Sequence, residues 1–419
     1  VTIAYDVTRL VRRYAVPSPN GIDRIDIAYA RHFIAAGRPE NTGIYLHALR
    51  PAVLHHDTLV SLLDEIAASW RDGPGESAVC YEAVKAYLLG QTQDRPAPIR
   101  DRPALFQRLA PLRILRPRAL GRFLFAPVPR GAAFVHTTHF PSAHLFRWLA
   151  GRGDVKPVFF IHDLLPLHFP EYFAPAHIAE HRHALDIFVR YARGAIVNTR
   201  VVAQQLHDLL RRHGRRDLPV LVQPIPPDPI FCAKHGSDPE LAAVSYFIVC
   251  GTIEPRKNHL MLLHVWRALA RRHGTRTPKL LVIGRRGWEN ENVVDLLDRS
   301  RELRAHVIEI AGLPTAGVAR LIAGARALLM PSFAEGYGLP IVEARAAGTP
   351  VIAADIPVFR EIAPEATFRA PLDGSGWLAA IEEHAEETRM RRVSPVGQGS
   401  SADAGAIYFA AVERFIRSL

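Results

Sequence analysis

Short apolar, β-branched runs alternate along this chain with longer stretches of helical period. The runs fall at 1–7, 43–49, 132–138, 157–162, 194–198 and 219–223, then at 246–250, 279–284, 306–311, 326–330 and 350–354. Runs this short and this apolar read as buried strands. The stretches between them, such as 258–273 and 315–325, repeat apolar residues three and four apart and read as amphipathic helices. Strand–helix alternation builds parallel sheets with right-handed crossovers. Two such series predict an α/β protein of two Rossmann-like domains facing each other across a cleft. The segment from Pro224, Pro-Ile-Pro-Pro-Asp-Pro-Ile, is the expected linker. That places a first domain at 1–225, a linker at 226–240 and a second domain at 241–400. Residues 51–131 are too long for a simple connection and are expected to be an irregular insertion, with a Gly/Pro-rich piece and then a helical one within 69–100. The tail 402–419 reads as one amphipathic helix after a Gly/Ser loop.

Length and composition agree with this division. A chain of 419 residues favours two domains, and a hydrophobic share of 48% fills two cores and argues against disorder. No apolar run reaches the roughly 20 residues of a membrane span. Charges at Asp6, Arg9, Arg12 and Arg13 are unlike a secretory leader. Cys80, Cys232 and Cys250 are odd in number and widely spaced, which fits a reducing compartment better than a disulfide or zinc framework. A net charge of +11, mostly arginine, suits an anionic partner: nucleic acid, a phospholipid surface or a phosphorylated ligand. A coding bias toward arginine would give the same total, so local clusters are more informative.

The most telling cluster lies at 331–350. Glu335 and Glu343 stand eight positions apart, with Gly-Tyr-Gly-Leu-Pro between them. Gly336 and Gly338 permit a tight loop, and Pro340 suits the first turn of a helix that stops at Gly348. The N–H groups of Tyr337, Gly338 and Leu339 then sit at a helix start, where about half a positive charge favours phosphate. The two carboxylates read as acceptors for sugar hydroxyls; the alternative is that Glu335 complements the helix dipole and Glu343 is a solvated helix residue. A second cluster follows the strand at 246–250: Gly251-Thr-Ile-Glu-Pro-Arg-Lys-Asn, in which Arg256 and Lys257 read as a phosphate clamp, the alternative being a solvated basic turn. Gly284-Arg-Arg-Gly-Trp also ends a strand, but it lacks the order of a dinucleotide fingerprint.

These two segments resemble the signature of retaining glycosyltransferases of the GT-B fold, family 4. Most of 240–395 fits the donor domain of that family, and the first half resembles it more loosely. The resemblance implies that Arg256 and Lys257 clamp the donor diphosphate, that Glu343 binds the ribose and that Glu335 faces the transferred sugar. Gly251 belongs to the phosphate loop, and Gly312 and Leu313 to a turn against the nucleobase. It further implies a C-terminal helix, 401–419, that crosses back to the first domain. Front-face attack is implied as well, with the phosphate oxygen taking the acceptor's proton. No Asp-x-Asp triplet is present to hold a divalent ion, so the expectation is metal-independent transfer without a cofactor, using a nucleotide-diphosphate sugar as co-substrate. The motifs look most like those of bacterial mannosyltransferases of surface polysaccharide assembly, which favours GDP-mannose over a UDP-hexose and a lipid-linked or lipopolysaccharide acceptor.

In the first half, Val158-Phe-Phe-Ile-His-Asp places His162 and Asp163 at the carboxyl end of a strand, where open α/β sheets bind ligands. His162 resembles the cleft histidine of the same family and is expected to donate to a sugar hydroxyl or phosphate. Asp163 is expected to orient its imidazole or to cap a helix. Phe134-Val-His-Thr-Thr-His-Phe gives two further acceptor-side candidates, His136 and His139, which structural packing would explain equally well. Asn20 and Gly21 open a helix, with Arg24 nearby, at the place where the family carries paired glycines. This chain has one.

Residues 102–130 hold seven arginines and no acid among Leu, Ile and Phe. That segment suits an anionic membrane surface, or is simply a cationic hairpin. It offers too few aromatic platforms for nucleic acid. The expected location is the cytoplasm, with a peripheral contact at the inner face of the inner membrane. Two rival readings remain at this point: another GT-B enzyme, such as a sugar-nucleotide epimerase or a phosphorylase, and a non-catalytic basic protein that binds membrane or nucleic acid.

Overall fold

The computed structural model describes residues 1–14, 16, 18–35, 37–46, 51–73, 75–92, 128–139, 143–232, 236–386 and 401–419. They form two compact units. One holds the described residues of 1–70, 101–225 and 405–419, and the other those of 71–100 and 226–404.

The sheet of the first unit contains β1 (Ile3–Asp6), β2 (Thr42–Leu46), β3 (Pro51–Leu54), β4 (Ala133–His136), β5 (Lys156–Phe160), β6 (Gly194–Val197) and β7 (Val220–Val222). Their order is β3-β2-β1-β4-β5-β6-β7. β3 runs antiparallel to β2, and the other neighbouring pairs are parallel. The strands at the centre are buried at every position, β1 and β4 among them. Such strands need apolar cover on both faces, which explains why their sequences are continuous apolar runs rather than alternating ones. The helix Ser401–Ser418 packs on this unit from Gly405 onward. The Tyr29 and Tyr408 hydroxyls lie 2.6 Å apart, and Glu413 pairs with Arg38 at 2.6 Å and His32 at 2.7 Å.

In the second unit, β8 (Tyr246–Cys250), β9 (Lys279–Ile283), β10 (Val307–Ile310), β11 (Leu328–Met330), β12 (Val351–Ala354) and β13 (Thr367–Arg369) pair in the order β10-β9-β8-β11-β12-β13. Every pairing is parallel. Where β8 and β9 end, the backbones nearly touch. A Cβ added to Gly284 would stand 1.8 Å from the Gly251 carbonyl oxygen, so only glycine fits there.

The expectation of an irregular insertion at 51–131 needs correction. Its described parts form β3 and the helices His56–Asp72 and Gly75–Leu88. The first helix buries Leu59, Leu62, Leu63, Ile66 and Trp70, a helical spacing. The second groups with the second unit rather than with a domain at 1–225. Side-chain bonds far along the chain hold it there: Tyr81 Oη donates to Asp238 at 3.1 Å, Lys85 to Glu240 at 2.6 Å, and Tyr87 Oη to the Arg304 carbonyl at 3.0 Å. Most of the basic segment at 102–130, residues 102–127, lies outside the described residues. Among the described residues, no helix is long and apolar enough to cross a membrane.

Candidate functional site

In each unit the strand order reverses at one point, between β1 and β4 in the first and between β8 and β11 in the second. Open α/β sheets bind ligands outside the carboxyl ends of the strands at such a switch. Both switch points are lined with buried polar side chains.

At the second unit's switch, β8 is followed by Gly251, a short turn Pro255–Lys257 and then the helix His259–His273. Asn258 joins turn to helix at φ 55°, a conformation that asparagine tolerates better than most residues. Its amide donates to the carbonyls of Pro331 at 3.2 Å and Pro371 at 2.8 Å. The Phe333 N–H donates to the Arg256 carbonyl at 2.8 Å. The loops after β8 and β11 are thereby stitched together, and their charged side chains meet.

Glu335 is the centre of that meeting. Its Oε1 lies 2.5 Å from Lys257 Nζ and its Oε2 2.7 Å from the Arg256 guanidinium. Ser332 Oγ donates to Oε1 at 2.8 Å. Arg256 is held further by Glu254 at 2.7 Å and by the Ala334 carbonyl at 3.0 Å. Two cations and two carboxylates therefore neutralise one another with little water: side-chain exposure is 8% for Glu335, 11% for Lys257, 17% for Arg256 and 3% for Glu254. Burial alone would raise the Glu335 pKa, but the charges of Arg256 and Lys257 outweigh it and hold the carboxyl at about 2. Next to Lys257, His259 is buried with neither ring nitrogen bonded among the described residues. Burial, reinforced by Lys257, keeps its pKa near 3, so no third cation forms there.

The helix Leu339–Ala346 starts where expected. Gly338 is its N-cap at φ 113°, and a Cβ there would also press on Phe359 and Ile362 at 3.1 Å. Gly336 and Tyr337 precede it, and burial raises the Tyr337 phenol above its ordinary range. Glu343 is 3% exposed on this helix. Gly312, at φ 86°, and Leu313, 4% exposed, follow β10 at the sheet edge, two strands from β8. In the Gly284–Trp288 segment, Arg286 pairs with Asp298 and Glu309, which accounts for its charge structurally.

At the first unit's switch, Asp6 ends β1 and His136 ends β4. His136 Nδ1 lies 2.8 Å from Asp6 Oδ2, and its Nε2 lies 3.1 Å from Thr138 Oγ1. Thr137 Oγ1 donates to Asp26 at 2.7 Å and meets the Tyr5 hydroxyl at 2.6 Å. Desolvation dominates at Asp26 and lifts its pKa to about 7.

The donor role expected of His162 is corrected. His162 Nε2 lies 2.7 Å from the Thr137 carbonyl and so must be the N–H donor. Burial first, and His139 second, lower the His162 pKa to about 3. The ring is therefore neutral, and its Nδ1 offers a ligand hydroxyl a lone pair rather than a proton. Asp163 lies 3.6 Å from His139 and its charge also acts on His162; in keeping with the capping alternative, it accepts from the N–H of Leu165, the first residue of a short helix, at 3.0 Å. The His139 and His162 rings are 4.8 Å apart.

Around the helix that begins at Gly21, the Asn20 side chain is spent on a capping box with Asp23. Arg9 and Arg13 pair with Asp23 at 2.8 and 2.7 Å, and Arg24 lies on the first turn. Glu254, Ser332, Asp6 and Thr138 are site residues that sequence reasoning missed. Only Glu254 left a trace there, as an acid two positions before a cation pair.

Residues 240–386 match the family model described as glycosyl transferases group 1. O-antigen chain mannosyltransferase B of Escherichia coli is 32% identical over 171 residues, which cover 41% of this chain and 44% of that protein. The serotype-specific mannosyltransferase WbdA of Escherichia coli is 28% identical over 271 residues, 58% of this chain and 33% of that one. The chain thus spans about a third of WbdA and under half of mannosyltransferase B. Among solved structures, Anabaena HepE in complex with UDP and glucose aligns at TM-score 0.61 and 16% identity over 100% of both chains. Sucrose-phosphate synthase from Thermosynechococcus elongatus aligns at 0.60 and 15%, over 99% of this chain and 97% of that one. At these identities the likeness concerns the fold alone. The second unit carries a glycosyl transferases group 1 domain, and the chain is an α/β protein with parallel sheets whose structural neighbours are GT-B glycosyltransferases.

Proposed function

We propose that this protein is a retaining glycosyltransferase that moves mannose from GDP-mannose to a hydroxyl of a lipid-linked or lipopolysaccharide-type glycan. The observation that carries the reading is Glu335 held between Lys257 and Arg256 at the carboxyl ends of β8 and β11. A carboxylate that neutralises two cations at a helix start marks the place where another anion is accommodated. A donor diphosphate takes over Lys257 and Arg256, and Glu335 then turns to the hydroxyls of the sugar. Arg256, Lys257 and the N-terminus of the helix Leu339–Ala346 supply the positive charge that the leaving diphosphate requires, so the transfer proceeds without a metal ion. The acceptor oxygen bonds to the anomeric carbon on the face from which the diphosphate departs, and a phosphate oxygen takes the proton. Glu343 binds the ribose. The names of the relatives, O-antigen and serotype-specific mannosyltransferases, support the choice of sugar and acceptor class. A lipid-linked acceptor places the reaction at the cytoplasmic face of a membrane.

Thermal denaturation of the protein with GDP, UDP, ADP or dTDP tests the reading. GDP at about 100 times its dissociation constant is expected to add ~2.7 kcal/mol of stability, seen as a rise in Tm of several degrees, with smaller rises for the other three. No response to any of the four would overturn the proposal.

A further inference from the structure

We propose that Thr138 is a hydroxyl-orienting residue of the first unit, set in one polarity by His136 and Asp6, and that the group it orients is the sugar hydroxyl that accepts the transferred residue. The inference rests on the proposed glycosyltransferase activity and names a side chain for its second substrate.

Burying the three side chains carries a cost. Asp6, His136 and Thr138 are 3%, 2% and 9% exposed. Polar groups taken this far from water are retained only when they are bonded. A strand-end threonine that merely needed a partner would find one in a nearby backbone group. Thr138 instead bonds to an imidazole, and that imidazole is itself bonded to a carboxylate at the end of the neighbouring strand. Asp6 Oδ1 is fixed in turn by the Thr8 N–H at 2.9 Å. The result is an ordered chain of three side chains built across the switch point.

The chain has a direction. Asp6 accepts from Nδ1 of His136, and with the imidazole neutral Nε2 is left to accept the Thr138 hydroxyl proton. With its proton committed inward, the Thr138 oxygen presents lone pairs to an approaching group. It therefore accepts a hydrogen bond from a ligand hydroxyl and holds that hydroxyl's remaining lone pairs away from itself. Thr138 is the most exposed member of the chain, and the next residue, His139, has a side chain 22% exposed.

The same turn is immobilised from the other side. The Thr137 carbonyl is gripped by His162, and its hydroxyl by Asp26 and Tyr5. Consecutive threonines are thus held by side chains from β1, the helix Gly21–Phe33, β4 and the segment after β5. Rigid support of this kind keeps a ligand-binding group within the tolerance that positioning requires.

The test compares Thr138→Val and Thr138→Ser with wild type, using GDP-mannose as donor and octyl α-mannoside as acceptor. Three quantities are read: the GDP dissociation constant by calorimetry, Tm, and KM and kcat for the acceptor. Thr138→Val is expected to lower kcat/KM for octyl α-mannoside by about tenfold or more, the size of one lost hydrogen bond with its orientation, while GDP affinity stays within twofold. Thr138→Ser keeps the hydroxyl and is expected to recover to within threefold of wild type. A purely structural threonine would show a lower Tm in both variants and no selective loss toward the acceptor. Wild-type acceptor kinetics in Thr138→Val, or a Thr138→Ser variant as impaired as Thr138→Val, would overturn the inference and leave the donor reading intact. Failure of wild type to bind GDP or to turn over GDP-mannose would instead remove the donor reading, and this inference with it.

Discussion

Glu335→Gln is expected to lower kcat by two to three orders of magnitude while nucleoside-diphosphate binding is kept or tightened. The loss of rate follows from the role proposed for Glu335, a charged group facing the sugar as positive charge develops at its anomeric carbon; losing one preorganised electrostatic contact costs about 10²–10³ in kcat. The retained binding follows from the resting geometry. Glu335 occupies both Lys257 and Arg256, and a diphosphate has to displace it. Glutamine has the same shape and no charge, so the two cations become open to phosphate oxygens. The same exchange weakens the unliganded fold. Breaking a buried ion pair typically costs ~3–5 kcal/mol, and here Glu254 and the Ala334 carbonyl offset part of the loss at Arg256. The unliganded variant should therefore melt earlier than wild type and gain more from GDP. The pH dependence has a definite sign. Glu335 has its pKa lowered from 4.5 to about 2, so its contribution is present above about pH 4.5 and is lost as pH falls toward 2. The variant should lack that portion of the acid-induced loss of stability. Steady-state kinetics with calorimetric titration of GDP decides the matter; a variant that loses GDP affinity and kcat together would place Glu335 in ground-state binding instead.

Lys257→Ala should do the opposite. GDP affinity is expected to fall by about 10- to 100-fold, because a charge-assisted bond to a phosphate is worth roughly 1.5–3 kcal/mol. The Lys257 stem lies over Gly251, whose absent side chain makes the room: a Cβ there would come within 3.1 Å of Lys257 Cε. Its position is therefore set by the backbone after β8 and does not depend on Glu335 alone. Removing the ammonium also leaves Glu335 with Arg256 as its remaining cation, which strengthens the internal pair that a ligand must break. Both effects act against binding. Titration calorimetry with GDP should show the loss; wild-type affinity in Lys257→Ala would remove Lys257 from the donor site.

Local chemistry made part of this legible in sequence. The loop from Gly251 to Lys257 and the helix start at Gly338 and Leu339 announce themselves through glycine, proline and charge within a few positions, and they fold as the pattern predicts. The apolar runs likewise give the parallel strands, because a strand buried on both faces cannot hide its composition. What escaped were pairings set by distance along the chain. Helix Gly75–Leu88 carries no sign that Tyr81 will find Asp238. Asp6 and His136 are separated by 130 positions and meet only because β1 and β4 are neighbours in the sheet. The role expected of His162 as a donor failed for a related reason. Its free nitrogen is decided by the Thr137 carbonyl, and no local pattern encodes that contact.

The switch points also explain why the polar residues cluster where they do. Helices on either side of a strand-order reversal diverge, leaving the carboxyl ends of two central strands open to a ligand. In the second unit that opening is filled by a neutralised charge cluster, and in the first by a directed hydrogen-bond chain. These are different chemistries, in line with the anionic donor and the neutral polyol acceptor proposed above.

The proposed transfer keeps the anomeric configuration of the sugar. Its most direct test is to incubate the protein with GDP-mannose and octyl α-mannoside and to read the one-bond carbon–proton coupling at the new anomeric centre by NMR. An α-linked disaccharide, formed about 10²–10³-fold more slowly when Glu335→Gln replaces wild type, is the expected result; a β-linked product, or GDP-mannose left intact by wild type, would contradict it.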